Sequence, residues 1–218
     1  MEPGGGADTV RVRIVPPGAS SFRSDLPSAL LPGSSAAGPC PTMKLGEWFV
    51  SSNARATVGS DGSVSVQRIS DGQQLVKSTP IAWSATTIAG IPLHTAALDL
   101  AAPPDPVFGL GQHHDPTSRQ YQLAPSNGET TIPLMHWPAA GASLLINVPS
   151  SGTLQTKPGG VSWRSDACLQ LDLWVATTSS GAAPAQRWPE LLRKYVAATG
   201  QPAALPAWAT GFIQSKDR

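Results

Sequence analysis

Apolar and polar residues alternate along much of the chain with the period of two that is typical of half-buried β-strands. Residues 10–15 alternate apolar and charged side chains, and residues 94–100 place Asp99 outward between two core leucines. The clearest alternation runs through residues 168–176, where it places Asp172 on an outward face. About ten short segments of this kind predict a mainly β protein with the architecture of a β-sandwich.

Turn signals separate these segments. Asp61-Gly62 and Asp71-Gly72 each lie between two alternating runs, which predicts a β-meander. The chain contains 21 Gly and 22 Pro, residue types that are frequent in turns and unfavourable inside helices. Residues 16–44 are rich in Pro, Ser, Gly and Ala and lack any period, so we expect a long, variable and partly disordered loop there.

The pattern changes to helical spacing near residue 188. Apolar residues between 191 and 196 recur at this spacing, Pro189 fits a first helical turn, and Gly200 fits a C-cap. Residues 208–213 then predict an apolar strand, with Trp208 buried at a domain junction. Because no partner for this strand follows in the sequence, we expect it to open a second domain that is truncated.

These patterns divide the chain into four parts. Residues 1–8 are expected to be a disordered N-terminus, residues 9–185 a β-sandwich domain that contains the 16–44 loop, residues 186–204 a linker helix, and residues 205–218 the start of the second domain.

Charge and hydropathy exclude some classes of function. The net charge is +1, from 15 basic and 14 acidic residues, and no basic cluster of the kind that binds nucleic acid occurs. No apolar run is long enough to span a membrane, and the N-terminus lacks the basic and apolar regions of a signal peptide, so the compartment stays open. Cys40 and Cys168 have no paired neighbours, which argues against a structural zinc site but leaves a disulfide open.

Four stretches of the second half carry a resemblance to a known family. They are a Phe-Gly-Leu-Gly-Gln turn at 108–112, Asn-Gly-Glu-Thr-Thr-Ile-Pro at 127–133 with the strand 141–147 after it, Tyr-x-x-x-Thr-Gly at 195–200 with Pro-Ala-Trp at 206–208, and Gly-Phe-Ile-Gln-Ser-Lys-Asp-Arg at 211–218. In this order they resemble the N-terminal domain and first barrel strand of glycoside hydrolase family 31, which includes α-glucosidases and α-xylosidases.

The resemblance implies a galactose-mutarotase-like β-sandwich, followed by one helix and the first strand of a (β/α)8 barrel. It implies hydrolysis with retention by two carboxylates about 5–5.5 Å apart. In the family both carboxylates belong to later barrel strands, so we expect no catalytic residue, metal or cofactor in this chain. The chain would then be part of an α-glycosidase, inactive alone, that acts on an α-glucoside or α-xyloside once a barrel completes it.

Five residues are candidates for sugar contact. Gln214, Lys216 and Arg218 follow the first barrel strand, which in family members borders the sugar pocket, and polar groups there can bind hydroxyls. Trp137 and Trp163 lie beside Pro, Gly and Ser and are the better candidates among the tryptophans for sugar stacking, although packing in a core is the favoured expectation for both.

Three further interpretations are open. The chain could be a free-standing carbohydrate-binding or interaction module. It could be an aldose-epimerase-like enzyme that uses Glu129 as a base and His94 and His136 as acids, although their spacing matches no motif. His113-His114 could suggest a metal site, but no third ligand is nearby, so a loop pair is expected.

Overall fold

A computed structural model describes residues 2–3, 6–31, 46–104, 106–115, 117–124 and 129–211. The secondary structure of these residues is mainly β, as the alternation predicts. The strands are β1 (Glu2–Pro3), β2 (Thr9–Ile14), β3 (Phe49–Ser51), β4 (Ala54–Val58), β5 (Val64–Arg68), β6 (Gln74–Ser78), β7 (Ala82–Ile88), β8 (Ile91–Ala101), β9 (Phe108–Gln112), β10 (Gln120–Gln122), β11 (Thr130–Trp137), β12 (Ala142–Ile146), β13 (Gly152–Lys157), β14 (Gly160–Cys168) and β15 (Leu171–Thr177). One α-helix, α1 (Pro184–Thr199), and a 3-10 helix (Ala207–Thr210) follow them.

The strands form two antiparallel sheets. The first sheet has the order β1-β2-β15-β12-β11-β9, and the second has the order β10-β13-β14-β8-β6-β5-β4-β3, with β7 paired to the N-terminal half of β8. The predicted turns at Asp61-Gly62 and Asp71-Gly72 join β4 to β5 and β5 to β6, and both glycines have positive φ angles. The meander and the sandwich predicted from the sequence are therefore confirmed.

The main core lies between the two sheets. Alternate residues of facing strands fill it, as expected for the inner faces of a sandwich. Leu98 and Leu100 point into this core and Asp99 points to solvent, in agreement with the period-two pattern. The fully buried side chains of this core include Val10, Val12, Leu75, Leu144, Ile146, Leu154, Leu171 and Leu173.

A second, smaller core covers the outer face of the first sheet. Trp174 on β15 packs there with Leu191 of α1 and with Leu30 from the segment after β2. Both faces of β15 are therefore buried, and Asp172 is only 2% exposed. The outward position predicted for Asp172 is confirmed, but this face is not open to solvent, because α1 and the segment before residue 32 cover it.

The helix begins earlier than the spacing predicts. Pro184 occupies the first turn of α1, and Pro189 lies inside the helix, where it cannot donate a backbone hydrogen bond. The C-cap at Gly200 is confirmed, with φ 87° and a hydrogen bond from its N–H to the carbonyl oxygen of Val196 (2.8 Å). The apolar face of α1 lies on β15, which fixes the helix against the first sheet.

The predicted strand at 208–213 differs from the structure. Residues Ala207–Thr210 form a 3-10 helix, and Trp208 is 80% exposed instead of buried at a junction. Residues 212–218 lie outside the described part of the chain. The prediction that residues 205–218 begin a second domain therefore stays a prediction.

Candidate functional site

The largest cavity that we describe lies at one end of the outer face of the first sheet and has a volume of about 740 Å³. Arg11 and Arg13 of β2 line one wall, because odd-numbered residues of this strand point away from the main core. Asp172 of β15 and Asn147, which follows β12, lie beside them. The segment 23–31 forms the opposite wall, so the cavity combines charged groups with apolar side chains.

A buried ion pair forms the centre of this polar wall. The Arg11 guanidinium donates to both carboxylate oxygens of Asp172, with Nε–Oδ1 and Nη2–Oδ2 distances of 2.9 and 2.6 Å. Asn147 adds a hydrogen bond from its side-chain amide to Asp172 Oδ2 (2.7 Å). A bidentate pair of this kind holds both partners in a fixed orientation. The ion pair therefore ties β2 to the central strand of the first sheet.

Two amide side chains anchor the segment 23–31 over the cavity. Gln170 accepts a hydrogen bond from the Arg23 backbone N–H (2.9 Å) and donates one to the Arg23 carbonyl oxygen (3.1 Å). Asn147 accepts from the Ala29 N–H (3.0 Å) and donates to the Ser28 hydroxyl (2.9 Å). Residues 16–31 of the predicted loop thus have no strand or helix but are held in place, while residues 32–45 lie outside the described part.

Charged groups at the rim of the cavity are paired locally. The Arg13 guanidinium carbon lies 5.0 Å from the centre of the Phe22 ring. The hydrogen-bonded guanidinium of Arg23 lowers the pKa of Asp25 to about 2. Cys168, a free thiol on the cavity wall, is buried, and burial raises its pKa. A thiol in this state is a weak nucleophile at neutral pH, so nothing in the geometry favours a catalytic role for it.

The opposite end of the same face holds a buried histidine. His136 is 3% exposed, and its Nδ1 lies 2.6 Å from the Ser143 hydroxyl oxygen. The rings of Trp188 and Tyr195 from α1 approach it edge-on, with centroid distances of 5.1 and 6.4 Å. Burial lowers the pKa of His136 to about 4, so the imidazole is neutral at pH 7. The residue therefore packs beneath α1.

The Phe-Gly-Leu-Gly-Gln run forms the edge strand β9 instead of a simple turn. Gly109, Leu110 and Gly111 all have positive φ angles, of 106°, 70° and 97°. A Cβ atom at Gly111 would lie 1.9 Å from the Thr130 carbonyl oxygen, and one at Gly109 would lie 2.4 Å from that of Leu134. The two glycines therefore let β9 approach β11 closely while Leu110 is buried in the main core.

The predicted sugar-contacting tryptophans are not surface residues. Trp137 and Trp163 are 3% and 2% exposed and lie in the core between the sheets. The favoured expectation of packing in a core is confirmed for both, and their candidate role as exposed stacking surfaces is wrong, because their strands are placed with these positions inward. Gln214, Lys216 and Arg218 lie outside the described residues, so their contact with sugar stays a prediction.

The residues of the epimerase interpretation are not brought together. His136 lies under α1 on the first sheet, whereas His94 is on β8 of the second sheet, where its ring packs against Trp83 at 6.1 Å. Glu129 lies before β11 and accepts a hydrogen bond from the His114 N–H (3.2 Å). This geometry contradicts the epimerase interpretation. Within the described residues, no three His, Cys, Asp or Glu side chains are grouped as metal ligands.

Comparisons with known proteins agree with the fold and with the family resemblance. No protein-family model matches the chain. A curated protein of Pseudescherichia vulneris, described as an uncharacterized family 31 glucosidase, is 28% identical over 116 residues, which cover 51% of this chain and 20% of that protein. The resemblance to glycoside hydrolase family 31 is confirmed. The matched region spans about a fifth of the length of this family 31 relative.

Solved structures of family 31 and similar enzymes share the fold. A xylosidase from Aspergillus niger has a TM-score of 0.76 at 19% identity and covers 98% of this chain and 33% of its own. A family 31 α-xylosidase from a soil metagenome, solved with xylose, has a TM-score of 0.66 at 23% identity and covers 94% and 33%. A family 31 dextranase from Flavobacterium johnsoniae, solved with glucose, has a TM-score of 0.63 at 14% identity and covers 95% and 26%.

These similarities relate the chain to one domain of family 31 glycosidases. It spans about a third or less of the length of the structural relatives.

Over the described residues, the helices are too short or too polar to cross a membrane.

Proposed function

We propose that the chain is the N-terminal β-sandwich of a retaining α-glycosidase, and that it supports a catalytic (β/α)8 barrel instead of carrying out the chemistry itself. The family resemblance supports the reaction class. The relatives described as an α-xylosidase and as a dextranase support an α-linked glycoside as the substrate of the whole enzyme. Roles for Gln214, Lys216 and Arg218 at the border of a sugar pocket are part of this proposal.

The observation that carries the proposal is that Asp172 and six other described carboxylates are engaged in structural ion pairs and hydrogen bonds. Retention needs two carboxyl groups about 5–5.5 Å apart on either side of a glycosidic bond. Among the described residues, the wall of the 740 Å³ cavity has a single carboxylate, Asp172, and Arg11 already binds both of its oxygens. Six other described carboxylates have local structural partners: Asp8 and Glu190 with Lys194, Asp71 with Arg68, Asp99 with Lys157, and Asp61 and Asp115 with hydroxyl groups in turns.

Exposed apolar residues after α1 also support the proposal. Leu205 and Trp208 are 74% and 80% exposed. They lie three residues apart in the sequence, and large apolar side chains grouped on a surface are typical of a region that another part of a protein covers. In this proposal, the barrel covers them.

An activity assay tests the proposal. The purified 218-residue chain is expected to release no nitrophenol from p-nitrophenyl α-glucoside or α-xyloside above the buffer rate, while an intact family 31 enzyme does so under the same conditions. Nitrophenol release by the 218-residue chain would overturn the proposal, because it would locate the chemistry in the sandwich.

A binding module is the second candidate, and the cavity favours it. A volume of about 740 Å³ lies within the range of ligand sites, which is roughly 300–1,000 Å³. Calorimetric titration of the chain with xylose and with maltooligosaccharides tests this function. Binding with a micromolar Kd would favour a free-standing module, and the absence of heat at millimolar sugar would favour the supporting role.

A further inference from the structure

We infer that strand β7 is a self-association surface, on which a second copy of this chain adds its own β7 in antiparallel orientation. This inference goes beyond the proposed support of a catalytic barrel. It rests on the geometry of one hairpin, on the exposure of its residues and on its lack of charge.

The β7–β8 hairpin ends in a tight turn beyond the body of the second sheet. Strand β8 pairs with β14 from residue 94 onward, so residues 91–93 pair only with β7. Ala89 and Gly90 at the tip have φ angles of 50° and 79°, as in a two-residue hairpin turn. Ile88 and Ile91 beside the turn are 50% and 60% exposed. The hairpin therefore presents an arm with apolar residues at its tip.

Strand β7 has one open edge. It pairs with β8 on one side, and no other strand of the described residues pairs with it. Five of its seven residues are exposed, including Ser84, Ala85 and Thr87. An open edge presents unpaired N–H and C=O groups that can pair with another extended chain.

Charge, proline and bulges, three features that usually prevent edge pairing, are missing from this strand. Residues 78–98 include no Asp, Glu, Lys or Arg, and no proline lies within β7 itself. The register of β7 with β8 is continuous from Ala82 to Ile88, without a bulge. Natural edge strands are normally protected by charge, proline, a bulge or a covering element. The sequence of β7 therefore favours edge-to-edge pairing with another strand.

A second copy fits this edge by symmetry. When β7 pairs with itself around a two-fold axis at its middle residue, Ala85 faces Ala85 of the second copy and Ser84 faces Thr86. Every pair in this register is uncharged, so no repulsion opposes it, and the central side chains are small. Two seven-residue strands bury less area than a standard interface, so we expect a Kd of about 10–100 μM.

Sedimentation equilibrium over a range of concentrations tests the inference. The 218-residue chain is expected to show a monomer–dimer equilibrium. Ala85→Lys should weaken it at least about tenfold, because the two lysines would lie opposite each other. Ala85→Glu should act in the same way, whereas Ala85→Ser should associate as the wild type does.

A mixing experiment separates this effect from misfolding. An equimolar mixture of the Ala85→Lys and Ala85→Glu variants is expected to form a heterodimer, because opposite charges then face each other. Failure of the mixture to associate would overturn the inference. A wild-type chain that stays monomeric at about 500 μM, well above the expected Kd, would also overturn it. Protection of the β7 amides from hydrogen exchange in that monomer would show that the edge is covered within one chain, and the inference would fail in this case too. Both results leave the glycosidase assay unaffected.

Discussion

The ammonium nitrogen of Lys194 on α1 lies 2.8 Å from Oδ2 of Asp8, the residue before β2. Lys194 also donates to the carbonyl oxygen of Thr177 (2.6 Å) and lies 2.9 Å from Glu190 Oε1. The other Asp8 oxygen accepts a hydrogen bond from the Asn53 N–H (2.8 Å). These largely buried contacts join α1 to the start of β2, to the end of β15 and to the turn before β4.

Replacement of Lys194 by Met is expected to lower the free energy of unfolding by about 3 kcal/mol, because it leaves the Asp8 carboxylate buried without its cation. Urea denaturation measures this change. Arg193→Met on the exposed side of the same helix is the matched control and should change stability by less than about 0.5 kcal/mol. Equal effects of the two substitutions would contradict the role of the buried pair.

Gln170 is expected to control the mobility of the segment over the cavity. Gln170→Ala removes two hydrogen bonds to the Arg23 backbone, each worth about 1 kcal/mol. Trypsin cleavage after Arg23 should therefore become about 5–30 times faster, as followed by mass spectrometry. Gln155→Ala, at an exposed position of β13, should leave this rate unchanged.

His136 is expected to make stability depend on pH in the acidic range. The unfolded chain binds a proton at this residue near pH 6.5, whereas the folded chain does so only near pH 4. Between these values the unfolded chain binds more protons, so the free energy of unfolding should fall by roughly 3 kcal/mol as the pH decreases from 6.5 to 4.

The measurement compares urea denaturation of the wild type and His136→Gln across this range. The variant should lose this part of the pH dependence, while His114→Gln, at an exposed position, should keep it. Parallel curves for the wild type and His136→Gln would show that another group causes the effect.

Replacement of Gly111 by alanine is expected to destabilise the fold. Gly111→Ala combines a positive φ with a Cβ atom 1.9 Å from a backbone oxygen, so we expect a loss of about 2–4 kcal/mol in unfolding free energy. Gly159→Ala is the matched control, because Gly159 has φ 72° but open space around the Cβ position. It should cost about 1 kcal/mol, the price of the backbone conformation alone. Thermal denaturation of both variants measures how much of the loss comes from the steric clash of the Cβ atom and how much from the positive φ angle. Equal losses would show that the clash contributes nothing.

Replacement of Trp174, which packs against α1, and of Trp208, which follows α1, should change the free energy of unfolding by very different amounts. Trp174→Ala empties a fully buried position between β15 and α1 and is expected to cost about 3–5 kcal/mol. Trp208→Ala removes an 80% exposed side chain and should change the stability of the chain by less than about 0.5 kcal/mol. A large loss for Trp208→Ala in chemical denaturation would show that this residue packs in solution.

Local chemistry explains which parts of the fold could be predicted. The alternation around Asp99, the hairpins at Asp61-Gly62 and Asp71-Gly72, and the C-cap at Gly200 depend on residues a few positions apart, so the sequence alone predicts them. The count of about ten strands omits β13 and β14, which join at Pro158-Gly159 and contain charged residues on their outward positions. Both strands alternate buried and exposed positions with a period of two, but many of their residues are polar, so the hydrophobic alternation is weak in the sequence.

Burial on a second face depends on residues that are distant in the sequence. The outward side of β15 holds Asp172 and Trp174, and it is covered by α1 and by the segment 23–31, which lies about 150 residues earlier. The inward placement of Trp137 and Trp163 likewise follows from strand order, which no local pattern reports. The sequence by itself determined the β class, the turns, the helix and the family resemblance, because period and turn chemistry are local. Only the tertiary structure decided which polar side chains are buried in pairs, because a charge such as Asp172 can leave water only when a partner from another strand meets it.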